Sequence, residues 1–172
     1  KTVAVPQPGP ETRPAALKYA VLAEKSLTCS IHTDDNLLVD ADPDKLARVF
    51  DNLLRNAIAY SYPGTNIDIR AFGEQKDIII TFSNQGDQIP PQKLNFIFEK
   101  FYRVDNARQS RTGGAGLGLS IAKEIVELHG GAIAASSSPV CTRFTVKLPR
   151  HEEAHPAAAK KWGRIAKNGG KE

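Results

Sequence analysis

Gly113-Gly114-Ala115-Gly116-Leu117-Gly118-Leu119 runs directly into the helical spacing of Leu117, Ile121, Ile125 and Leu128. Glycines let a backbone approach a phosphate closely, and the free N–H groups of a helix start supply donors and positive potential there. The run does not fit a dinucleotide fingerprint, because Leu119 stands where the last Gly of G-x-G-x-x-G belongs. It also lacks the Gly-Lys-Ser/Thr of a P-loop. The helix it opens is expected over Gly116 to His129, with Gly130 as its stop. His129 itself is accounted for by favourable contact with the helix dipole.

Outward from that helix, two strands are expected near Ala132–Ala135 and Val140–Leu148, joined through Ser137-Ser138-Pro139. In the second, Val140, Thr142, Phe144, Val146 and Leu148 share a face. On the other side of the glycine run, Asn84 to Gly114 is longer than an ordinary connection, with a short helix near Gln92–Phe98. Long insertions of this kind are often binding loops or lids. Residues 106–114 offer almost no apolar surface and are expected to be mobile without a ligand.

Before the insertion lies a buried strand, Asp77–Ser83, paired through a polar turn with the alternating Ile67, Ile69 and Ala71. Asp42-Pro43 is a strong helix start, Asp as N-cap and Pro at the first position. Leu46, Val49, Phe50, Leu53, Leu54 and Ala57 then recur at helical spacing until Pro63-Gly64. Short strands are expected near Thr28–His32 and Leu37–Val39, after a first helix from Pro14 through Leu17, Ala20, Val21 and Glu24. The expected architecture is a two-layer α/β sandwich, a mixed sheet of about five strands with three main helices on one face and a lid. Residues 1–13 read as a linker, 14–150 as the folded domain and 151–172 as a mobile basic tail.

The chain has 172 residues, 41% of them hydrophobic and 24% charged, as expected for a soluble globular domain. No apolar run approaches the roughly 20 residues that cross a bilayer, and no signal-peptide pattern opens the sequence. The net charge is +4, and the tail from His151 carries five basic and three acidic residues, so half of the excess sits there. Nucleic acid is therefore not the expected partner. Cys29 and Cys141 lack metal-ligand spacing and read as reduced thiols.

Four clusters carry polar chemistry. Asn52, Asn56 and Tyr60 lie four apart, on one face beside the core stripe. Such amides could be ordinary solvated surface, or a neutral hard ligand for Mg²⁺ with phosphates and waters completing the shell. Asn84-Gln85-Gly86 ends the buried strand, where a side-chain acceptor can meet the edge of a flat ring or close a plain Asx turn. Phe96-Ile97-Phe98-Glu99-Lys100-Phe101-Tyr102-Arg103 interleaves aromatics with two cations that could reach phosphates. The glycine run is the fourth.

In this order the clusters resemble the N, G1, F and G2 boxes of histidine kinases, over roughly Leu17 to Arg150. Within that family, Asp42-Pro-Asp-Lys-Leu-Ala-Arg-Val-Phe50, Phe98–Arg103, Asp105-Asn-Ala-Arg108 and Thr112–Leu119 are most similar to the sensor kinases of glycopeptide resistance. The resemblance implies a Bergerat fold that binds ATP and Mg²⁺. Asn56 would hold Mg²⁺, and Asn52, Asn56 and Arg103 would lie closest to the chemistry. Tyr60, Asn84, Gly86, Ile89 and Thr142 would border the nucleotide. Lys100, Arg103, Gly114, Gly116, Leu117, Gly118 and Leu119 would serve its phosphates and lid.

Two positions depart from the family pattern. Asn84 stands for the Asp that accepts from the adenine amino group, with Gln88 for the second Gly of that box. Ala59 stands where many relatives carry a phosphate-binding Lys, so that Arg55, Lys100 or Arg103 would compensate.

The activity implied is transfer of the γ-phosphoryl group of ATP to a histidine on separate dimerisation helices, and from there to a response regulator. None of His32, His129, His151 or His155 has the H-[ED]-x-x-[TN]-P context of such a histidine, so the acceptor is expected outside these residues. The whole protein is expected to be a membrane-bound homodimer, with this domain in the cytoplasm. A water-activating Glu four residues before Asn56 would mark an ATPase of the gyrase or chaperone kind, and Asn52 occupies that place. The remaining alternative is a nucleotide-dead docking module, supported only by the altered G1 box.

Overall fold

The computed structural model of the chain describes residues 2–4, 22–104 and 116–151. Its elements in chain order are β1 (Thr2–Ala4), β2 (Thr28–Thr33), β3 (Leu38–Asp40), α1 (Pro43–Tyr60), β4 (Asn66–Glu74), β5 (Asp77–Asn84), α2 (Pro91–Leu94), α3 (Gly118–Leu128), β6 (Ala132–Ser137) and β7 (Thr142–Pro149). Five strands form one mixed sheet in the order β2-β4-β5-β7-β6. β2 runs parallel to β4 and the other neighbours are antiparallel.

The core lies on one face of this sheet. Ile78, Ile80 and Phe82 of β5 and Phe144, Val146 and Leu148 of β7 meet Leu46, Val49 and Leu53 of α1 and Ala122, Ile125 and Val126 of α3. A smaller cluster of Leu27, Ala57, Ile58 and Ile67 closes the far end of α1, with Leu22 packed on it. Residues 22–24 are the described end of the first expected helix.

α1 forms where the sequence places it. Asp42 accepts from the backbone N–H groups of Asp44 and Lys45, at 3.0 and 3.2 Å, and these hydrogen bonds hold its carboxyl below the usual range. At the other end Lys25 donates to the carbonyls of Ile58 and Ala59 at 2.8 and 2.9 Å, satisfying acceptors that the helix leaves open. Ser61 caps that end by donating to Ala57 O at 2.6 Å, so the helix stops before Pro63-Gly64.

Several expected boundaries shift. α3 starts at Gly118 instead of Gly116, because Gly116 has φ +73°, outside the right-handed helical region. α2 ends at Leu94, after which turns bonded from Phe96 N–H to Lys93 O and from Glu99 N–H to Phe96 O carry the chain on. Val140 does not share the inward face of β7. It is 77% exposed in a turn where the Ser138 hydroxyl accepts from the N–H groups of Val140 and Cys141. Thr2–Ala4, within the stretch read as a linker, pairs antiparallel with β3. The expected lid residues 106–114 and the tail after His151 lie outside the described residues. Both cysteines are free thiols. No helix among the described residues is long and apolar enough to cross a membrane.

Candidate functional site

A cavity of about 360 Å³ opens between α1, the loop after β5, the start of α3 and the start of β7. That volume is within the range of small-molecule sites. Asn52, Asn56 and Tyr60 enter it from α1, three residues one helical turn apart as their spacing requires. Asn84 and Ile89 border it from the strand end and loop, Arg103 from the aromatic segment, Thr142 from β7, and Gly116, Leu117, Gly118 and Leu119 from the helix start. Ala59 also lines it, as the family pattern implies for that position.

Gly86 does not line the cavity but is needed behind it. It is buried, and a Cβ there would run into the carbonyl oxygen of Tyr60. Tyr62 reinforces this contact: its N–H donates to Gln85 O at 2.8 Å and its hydroxyl to Asp87 at 2.7 Å. Lys100 is exposed and is not among the cavity residues, in contrast to its expected role at the phosphates. Gly114 lies outside the described residues. Arg55 reaches the rim, but pairs with Asp51 at 2.7 Å along the exposed side of α1.

The two ends of the cavity differ in chemistry. At one, α3 begins with Leu117 as its N-cap, whose apolar side chain accepts from none of the first N–H groups. An uncapped helix start leaves donors with partial positive charge, which suits an anion. Gly116 holds this start in place: Phe101 N–H donates to Gly116 O at 3.0 Å, and a Cβ on Gly116 would lie 3.0 Å from the Phe101 carbonyl carbon. Asn52 faces Gly118, and its buried amide nitrogen has no hydrogen-bond partner among the described residues.

At the other end, Ile89, Ile97 and Phe144 give apolar walls and Asn84 and Thr142 the polar edge. Asn84 is 3% exposed, and its amide nitrogen is also without a partner among the described residues. An unmet buried donor costs about 1–3 kcal/mol, so two in one cavity mark places for ligand atoms. Thr142 Oγ1 lies 2.7 Å from Ser137 Oγ, which accepts from Ile89 N–H at 2.9 Å. Ser137 was not foreseen as a site residue. Its role depends on the β6–β7 register, which sets Ser137 opposite Thr142 and cannot be read before the turn at Ser138 is known.

These residues fit a nucleotide with its metal ion. Among the described residues no three His, Cys, Asp or Glu side chains gather as a metal cage. Asn56 instead offers a single amide oxygen at the cavity, in keeping with Mg²⁺, which keeps few protein ligands when phosphates are present.

Comparison with known proteins agrees with this geometry. A family profile described as histidine kinase-, DNA gyrase B-, and HSP90-like ATPase matches residues 41–152. Sensor protein VanS of Enterococcus faecium is 54% identical over 132 residues, which cover 76% of this chain and 34% of that protein. The mycobacterial sensor histidine kinase MprB superposes with a TM-score of 0.69 at 29% identity, over 81% of this chain and 94% of the other. Histidine kinase ThkA, in a complex with the response regulator protein TrrA, gives a TM-score of 0.66 at 25% identity, over 81% of this chain and 39% of that one. The chain thus spans about a third of the length of VanS.

Proposed function

This chain belongs to the family of histidine kinase-, DNA gyrase B- and HSP90-like ATPases, as the catalytic, ATP-binding domain of a sensor histidine kinase, and from that premise we propose that it seats ATP·Mg²⁺ for phosphoryl transfer to a histidine on separate dimerisation helices. The observation that carries the reading is the pairing of an uncapped helix start and the unmet Asn52 amide at one end with the unmet Asn84 amide and apolar walls at the other. The first suits phosphates and the second a base.

Asn84 and Thr142 orient the base between Ile89, Ile97 and Phe144. Asn52 and the N–H groups opening α3 take phosphate oxygens, and Arg103 adds a cation. Asn56 is the Mg²⁺ ligand, and the ion when bound neutralises phosphate charge. Transfer forms a bond from the acceptor imidazole nitrogen to the γ-phosphorus and breaks the bond to the β,γ-bridging oxygen, releasing ADP. The protein's share is positioning and electrostatic stabilisation. Asn52 has no proton-accepting charge at neutral pH, which disfavours hydrolysis as the main activity.

The phosphoryl group then passes to a cognate response regulator, a partner class supported by the ThkA–TrrA complex. The whole protein is a membrane-bound homodimer with this domain on the cytoplasmic side, a reading to which the resemblance to glycopeptide-resistance kinases adds a role in that signalling. Residues 14–150 form the catalytic domain. Calorimetric titration with ATP and Mg²⁺ tests the reading. Binding in the micromolar-to-millimolar range, about −8 to −4 kcal/mol, is expected. Absence of heat and of thermal shift at several millimolar nucleotide would identify a nucleotide-dead docking module instead.

A further inference from the structure

We propose that Asn84 makes the base end of this cavity a general purine reader, so that 6-oxopurine nucleotides bind almost as well as adenine nucleotides. The inference rests on the nucleotide reading given above.

Asn84 is the last residue of β5, lines the cavity, is 3% exposed and has an amide nitrogen with no partner among the described residues. No hydrogen bond from that nitrogen to the described residues fixes which end of the amide points at a ligand. A carboxamide carries an acceptor oxygen and a donor nitrogen side by side, and a half-turn of its terminal torsion exchanges them. The facing edge of adenine presents a donor, its 6-amino group, beside an acceptor, N1. The same edge of guanine or hypoxanthine presents an acceptor, O6, beside a donor, N1–H. One amide in its two orientations matches both patterns.

The second polar group at this end has the same two-way character. Thr142 Oγ1 and Ser137 Oγ lie 2.7 Å apart, and either can be the donor. Ser137 Oγ already accepts from Ile89 N–H. When Ser137 donates to Thr142, the Thr142 proton is free for a base acceptor. When Thr142 donates to Ser137, the Thr142 lone pairs are free for a base donor. Ile89, Ile97 and Phe144 are apolar walls that do not distinguish one purine from another, and the loop after Asn84 adds Asp87 and Gln88 to the lining.

Selectivity against a wrong base is sharpened by a repulsive element. A carboxylate at position 84 would supply one, since it accepts from the adenine amino group but opposes O6 of a 6-oxopurine. Asn removes that opposition. A correct two-point contact to a base edge discriminates by about tenfold to a hundredfold, and that is the margin forfeited here.

The test is titration calorimetry of the parent with ADP, GDP and IDP in the presence of Mg²⁺, repeated on Asn84→Asp. IDP shares the O6/N1–H edge of GDP without the 2-amino group, and so separates edge reading from a clash at that group. The parent is expected to bind ADP and at least one 6-oxopurine nucleotide within about tenfold of each other. Asn84→Asp is expected to raise the affinity for ADP relative to GDP and IDP by about tenfold or more over the parent ratio. The parent ratio stands even where the variant fails to fold. ADP binding with both GDP and IDP weaker by more than about tenfold overturns this inference and leaves the nucleotide reading standing. An unchanged ratio in a folded Asn84→Asp also overturns it. Binding of none of the three overturns both.

Discussion

Asn56 enters the cavity from α1 while its neighbours Leu53 and Ala57 are fully buried beneath the same helix. The side chain is therefore separable from the fold. Asn56→Ala is expected to abolish the Mg²⁺-dependent part of nucleotide binding while changing stability by no more than about 0.5 kcal/mol, as for a substitution outside the core. Calorimetry with and without Mg²⁺, beside a urea unfolding curve, checks both halves. A variant that binds ATP·Mg²⁺ like the parent, or that unfolds, removes Asn56 as the metal ligand. The four-residue spacing of Asn52, Asn56 and Tyr60 was enough to read these positions, because helix geometry alone puts them on one face. Lys100 was not legible in this way. Phe101 beside it adopts φ 66°, a turn that sequence alternation does not reveal, and Lys100 is left exposed.

The elements that frame the cavity depend on two local devices. Asp42 caps α1 through the N–H groups of Lys45 and Asp44, and its folded-state carboxyl is depressed below 3.8 by those bonds. A depressed carboxyl contributes stability that is present above the unfolded value and is lost as the pH falls through the folded one. Asp42→Ala should therefore lower the thermal midpoint at neutral pH. The gap from the parent should close as the pH falls below 3.8 through the depressed value, and differential scanning across that range measures it. A gap that persists unchanged at low pH would assign the loss to something other than the charged cap. This cap was visible as Asp42-Pro43.

The second device is the latch between Phe101 and Gly116. A side chain at Gly116 meets both a left-handed φ and the Phe101 backbone. Gly116→Ala is expected to cost about 1–2 kcal/mol of local strain, relieved by shifting the start of α3 away from the phosphate end. The expected signature is weaker affinity for ATP than for adenosine, relative to the parent, since only the phosphates use that helix start. Equal weakening of both ligands would argue for general damage instead. Here the sequence reader sees the glycines but not their conformation. For the same reason the glycine run predicts a start for α3 two residues early, and alternation places Val140 inward because nothing along the chain shows that the Ser138 hydroxyl closes a turn.

For the molecule as a whole, order along the chain mattered more than any single signal. Four modest clusters, on α1, after β5, in the aromatic segment and at the start of α3, converge on one cavity because the sheet order β2-β4-β5-β7-β6 sets the ends of β5 and β7 side by side beneath α1. Pairings such as Asn84 with Thr142 come from that order and were beyond reach of local pattern.

The same assembly bounds what this chain can do by itself. Self-phosphorylation needs a histidine beside an acid that reaches the γ-phosphate. His129 is committed elsewhere: its Nδ1 lies 2.7 Å from Ile125 O, and its Nε2 accepts from Asp42 N–H at 3.1 Å. His151 contacts Asp40 at 2.7 Å and His32 lies 3.8 Å from Asp68, and neither lines the cavity. Hydrolysis needs a base to activate water, and Asn52 cannot take a proton at neutral pH. Radiolabelled ATP incubated with this chain alone should therefore leave no acid-labile label on it and release phosphate no faster than background. Adding dimerisation helices that carry an acceptor histidine should restore label to those helices. The gain comes from placing the imidazole in line with a seated γ-phosphate, where effective molarities of about 10⁵ M or more are attainable. Acid-labile label on this chain alone contradicts the assignment of an acceptor elsewhere. Brisk phosphate release that survives Asn52→Ala would show that some other group activates water, and that the site is an ATPase after all.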